Sequence, residues 1–194
     1  MKNSPDRENL FFAIEAEIKA HLNGDNLKIS LDFLAYLKGS GMTWDFPTDG
    51  HPEFYYIDKL TCLFAFTKDE MDEATLDKTR QMIESAGNRF VYDPSSTWNI
   101  CCWQCECDIY EPGNFQVGED LKEFALDNVW KCISCGGCDT PGSHPRTVFG
   151  KEYASACCNV FQFINPDSET MEKIIKLMEL QKAIIAESAL IRKP

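Results

Sequence analysis

Trp130-Lys-Cys-Ile-Ser-Cys-Gly-Gly-Cys138, then Asp139-Thr-Pro-Gly-Ser-His144-Pro145, then a short run closing on Cys157-Cys158, is the stretch that organises this chain. Cys132, Cys135 and Cys138 stand at two successive CxxC spacings, with Gly136 and Gly137 permitting the positive-φ backbone of a metal knuckle. Thiolates so spaced can converge on one ion, and a fourth can arrive from the vicinal pair. Zinc takes four thiolates tetrahedrally at about 2.3 Å, so the first set is Cys132, Cys135, Cys138 and Cys157. Cys158 or His144 can replace a member, and Cys102 with Cys105 can supply a second CxxC pair.

Upstream, a similar order of residues recurs without those cysteines. Leu31, Leu34 and Ala35 match Leu121, Phe124 and Ala125; Trp44 matches Trp130, His51-Pro52 matches His144-Pro145, and Phe64-x-Phe66 matches Phe161-x-Phe163. An apolar helical face follows each time: Leu76, Thr79 and Ile83, then Met171, Ile174 and Met178. The second half is longer between its Trp and its His by about the length of Cys132 to Cys138. The expectation is a single α+β domain over residues 1–194. It would contain an internal duplication of helix-strands-helix units at about 28–92 and 117–189, an antiparallel sheet, and a zinc-knuckle-like insertion in the second half. A pseudo-twofold axis would relate the halves and leave a groove lined from Trp44, Tyr55, Tyr56, Trp98, Trp103 and Trp130.

Apolar periodicity predicts a helix at 8–22, stopped by Asn23-Gly24, and a second of about two turns with Ser30 as its N-cap. Aromatic and β-branched residues predict strands at 54–57 and 61–67 around an Asp58-Lys59 turn, and further strands at 89–92, 98–110, 147–149 and 159–164. Helices are expected at 71–86, 119–126 and from Asp167 or Ser168 to about 189. The last is entered through Asn165-Pro166, whose chemistry suits a first helical turn.

With 194 residues, a net charge of −12 and a pI near 4.7, the chain lacks the basic surface that nucleic acids and anionic membranes require. Asp6, Arg7 and Glu8 argue against a secretory signal, and no run reaches the roughly 20 apolar residues of a bilayer span. These features place the protein in the cytoplasm, where ten cysteines point to metal or redox chemistry rather than to disulfides.

Zinc has rivals. An iron–sulfur cluster uses similar spacing, but the last thiol is not followed by the Pro of the bacterial ferredoxin run. A dithiol redox centre would use Cys102 and Cys105 or Cys132 and Cys135, yet neither pair opens a long helix that would acidify a thiol. On an extended strand Cys101, Cys105 and Cys107 share a face opposite Cys102, so a single ion using all four would need a bend. Cys62, inside an apolar strand, reads as core. No HExxH, GxSxG, P-loop or GxGxxG element is present.

Lys131-Cys-Ile-Ser-Cys-Gly-Gly-Cys138, Phe149-Gly-Lys-Glu-Tyr153 and Asn165-Pro-Asp167 ahead of a terminal helix resemble uncharacterised cysteine-rich α+β proteins of anaerobic bacteria. The resemblance covers the last third of the chain and implies an intracellular protein, with no activity to carry over. The duplicated order also looks loosely like small-molecule sensor domains built from two α+β halves. The functional expectation is a non-enzymatic module with structural zinc, taking a small-molecule ligand or a protein partner. The alternative is a thiol-dependent or iron–sulfur redox protein.

Overall fold

Side-chain alternation decides which way each central strand faces. The computed structural model describes residues 5–45, 51–66, 72–92, 97–104, 117–133 and 144–191. Phe64 and Phe66 on β3 (Lys59–Phe66), Trp98 and Ile100 on β4 (Trp98–Gln104), and Phe161 and Phe163 on β7 (Lys151–Ile164) share one sheet face. The register aligns them in rows: Phe66 with Trp98, Phe64 with Ile100, and Ile100 with Phe163. Phe64 and Trp98 stack with centroids 4.9 Å apart.

Helices α1 (Pro5–His21), α2 (Gly24–Gly39), α4 (Glu119–Asp127) and α5 (Ser168–Ile191) join their apolar residues to this core. Ile14, Ile18, Phe33, Leu37, Ile174 and Leu177 are fully buried or nearly so. Helix α3 (Glu73–Ser85) buries none of its side chains. Among the described residues the sheet has seven strands, all pairings antiparallel, in the order β1-β2-β3-β4-β7-β5, with β6 (His144–Val148) also on β7. Here β1 is Thr43–Asp45, β2 is Glu53–Tyr56 and β5 is Val129–Lys131. The fold is α+β, as its alternating and helical periodicities imply.

The order of elements does repeat: α2-β1-β2-β3-α3, then α4-β5-β6-β7-α5. The pairing does not. Trp44 sits on an outer strand that pairs β2, whereas Trp130 sits on a strand that pairs β7. β3 and β7 flank β4, each antiparallel to it, so they run parallel to each other with their phenylalanines on the same face. A twofold axis would either reverse one strand or turn it over, so the structure does not show the expected symmetry.

Four local expectations change. Ser30 is no N-cap: α2 starts at Gly24, whose φ of +53° turns the chain straight out of α1, and buried Ser30 donates its hydroxyl to Leu27 O at 2.9 Å. The β2–β3 turn is Ile57-Asp58, with φ of 49° and 60°, one residue earlier than expected. Residues 89–92 form no strand. Instead, the Asn88 carboxamide accepts from Lys131 N at 2.9 Å and donates to Lys131 O at 2.7 Å, satisfying the outer edge of β5 with one side chain. β7 begins at Lys151 rather than Asn159, because Phe149-Gly150, with φ of 48° and 79°, closes a two-residue hairpin from β6.

The entry to α5 follows the sequence. Asp167 accepts from Thr170 N at 2.8 Å, and this bond holds its exposed carboxyl below the ordinary aspartate range. A depressed folded-state pKa gives stability that is present above the unfolded value of about 4 and is lost as pH falls through the folded one. Asp167→Ala is therefore expected to lower the urea midpoint at neutral pH, with the difference from the parent closing in acid. A pH-independent difference would contradict the charged cap.

Candidate metal centre

Three strand ends meet at one point on β7. Gln104, the last residue of β4, pairs with Asn159, while Lys131 at the end of β5 and His144 at the start of β6 both pair with Ala156, one from each side. Cys157 and Cys158 are the two residues between these pairings. The β7 chain bulges here: Ala156 to Phe161 is five steps, whereas Lys131 to Val129, opposite, is two. A regular strand would send neighbouring side chains to opposite faces. In this bulge the Cys157 and Cys158 Sγ atoms come within 4.0 Å.

Polar groups of the sheet face away from the helices surround the pair. Gln162 Nε2 donates to Cys157 Sγ at 3.7 Å, and Gln162 is the register partner of Cys101. The Cys101 thiol donates to Asn99 Oδ1 at 3.1 Å. Burial pushes the Cys101 pKa up to about 12, and the nearby Cys158 adds to the rise. Cys132 directly follows β5 and is half-buried.

Cys102 belongs elsewhere. It faces the helix-covered core opposite Cys62, both are fully buried, and burial drives both thiols well above their ordinary range. Its place in the helix-covered core, opposite Cys62, sets Cys102 apart from Cys157 and Cys158. The alternation expected for Cys101 and Cys102 is observed over the described part of β4. Cys105, Cys107, Cys135 and Cys138 lie outside the described residues. His144 is placed by its backbone in β6. Among the described residues alone, no three His, Cys, Asp or Glu side chains are arranged to hold a metal ion.

Beside the cysteines, β5 and the 87–91 segment enclose a cavity of about 280 Å³, walled by Asn88, Arg89, Trp130, Gln162 and Ile164. Gln162 thus touches both the thiol cluster and this cavity. The other aromatics have structural work: Trp44 packs edge-on against Phe11 at 5.3 Å, Trp98 stacks in the core, and Tyr56 lies under Lys182. The sequence reading passed over Gln162, for which no local pattern gives a signal. Its role follows from the bulge, which folds residue 157 back towards residue 162.

Comparison with protein-family models, with curated proteins and with solved structures finds no match. No helix among the described residues is long and apolar enough to cross a membrane.

Proposed function

We propose that this chain is a metal-binding α+β protein whose ion is held by cysteine thiolates at the β4–β5–β6–β7 junction. The ligand set is Cys132, Cys135, Cys138 and Cys157, and zinc is the ion. One observation carries the reading: both cysteine-bearing connections, 105–116 after β4 and 134–143 between β5 and β6, join the described chain at strand ends that pair beside Cys157-Cys158. The donor set also fits, since thiolates at CxxC spacing favour tetrahedral zinc.

The ion's role is structural. It ties the entry of β6 and the exit of β5 to the middle of β7, where the bulge interrupts regular pairing. The cavity by Trp130 and Arg89 is then a rigid recess for a small polar molecule, and the protein acts as a binding module rather than as a catalyst. Elemental analysis of protein purified under reducing conditions without added metal tests the reading. About one equivalent of zinc per chain is expected for a four-thiolate site. Less than about half an equivalent, with no iron, removes the proposal, and iron with a visible charge-transfer band transfers it to a cluster protein.

A further inference from the structure

Cys157 and Cys158 are adjacent in sequence, yet their sulfur atoms are 4.0 Å apart on one side of the chain. A tetrahedral ion with metal–sulfur bonds of about 2.3 Å separates its ligand sulfurs by about 3.8 Å. The dipeptide therefore already spans close to one edge of such a tetrahedron. A regular strand would direct the two thiols to opposite faces, so the spacing is a product of the bulge.

We propose that Cys157 and Cys158 bind the same thiophilic ion, filling two of its four positions as a vicinal chelate. This rests on the metal-binding reading above, with Cys158 taking the place of one of the other thiolates named there. Gln162 is the positioning residue. Its Nε2–H donates to Cys157 Sγ, the kind of outer hydrogen bond that orients a metal-bound thiolate. Cys101, whose thiol donates to Asn99 Oδ1, is not part of the proposed chelate. Deprotonating and closing both vicinal thiols on one ion locks the bulge that joins the β4 and β6 ladders along β7.

Loading the reduced full-length wild-type chain with NMR-active cadmium identifies ligands directly, without a substitution. Proton–cadmium correlation is expected to link the β-protons of Cys157 and of Cys158 to one cadmium resonance. A correlation from only one of the two, or from the two to different resonances, overturns the vicinal chelate while leaving the metal reading intact. Failure to bind cadmium or zinc at all overturns both. By chelator competition, Cys157→Ser and Cys158→Ser should each weaken zinc binding at least about tenfold, equivalent to about 1.4 kcal/mol. Cys102→Ala, on the other face, should leave the affinity unchanged; a change in only one of the two vicinal variants also refutes the chelate.

Discussion

Treating the protein with a chelator is expected, on the metal-binding proposal, to release the β5–β6–β7 end of the sheet while the α1–α2–β3 end keeps its protection. Structural zinc sites are worth on the order of 10–16 kcal/mol, against about 5–15 kcal/mol for a whole domain. Even half of that would lower the melting temperature of a chain this size by about 10 °C or more. The release is local at first, because β7 pairs β4 through residues 159–164, beyond the bulge, and Phe161 and Phe163 keep their places in the core. Hydrogen exchange should therefore accelerate at 129–131 and 144–158 and change little at 59–66. Cys135→Ser should reproduce the pattern. An unchanged melting temperature in metal-free protein would show that the ion does not brace the fold.

The second large effect belongs to the aromatic core. Phe64 is fully buried, stacks on Trp98 at 4.9 Å, lies 4.9 Å from Phe66 and faces Phe33 at 6.2 Å. Phe64→Ala deletes a ring whose neighbours come from α2, β3 and β4, so the site cannot collapse without moving a layer. Such truncations cost about 3–5 kcal/mol, which corresponds to a fall of roughly 6–20 °C in melting temperature here. Tyr56→Ala offers the contrast, since its ring is only partly buried beneath Lys182 and its loss leaves no comparable cavity. Urea denaturation of the two variants compares them directly. Equal losses would mean that the Phe64–Trp98 stack is not the mechanical centre of the sheet.

The sequence by itself determined the parts governed by short-range periodicity. Alternation in Phe64-x-Phe66 and Phe161-x-Phe163 marked the inner faces of β3 and β7, apolar spacing marked the helices, and Asn165-Pro166-Asp167 marked the entry to α5. Pattern also separated Cys101 from Cys102, because adjacent strand residues point opposite ways. Tertiary structure alone decided the rest. Strand order is set by which edges meet, and the matching element order of the two halves carried no information about β1 pairing β2 while β5 pairs β7. Asn88 became the partner of β5 because its carboxamide reaches both polar groups of Lys131, a contact across 43 positions. The closeness of the Cys157 and Cys158 sulfurs came from the bulge. That bulge lies between Ala156, where β5 and β6 meet β7, and Asn159, the register partner of Gln104, and it places both thiols together.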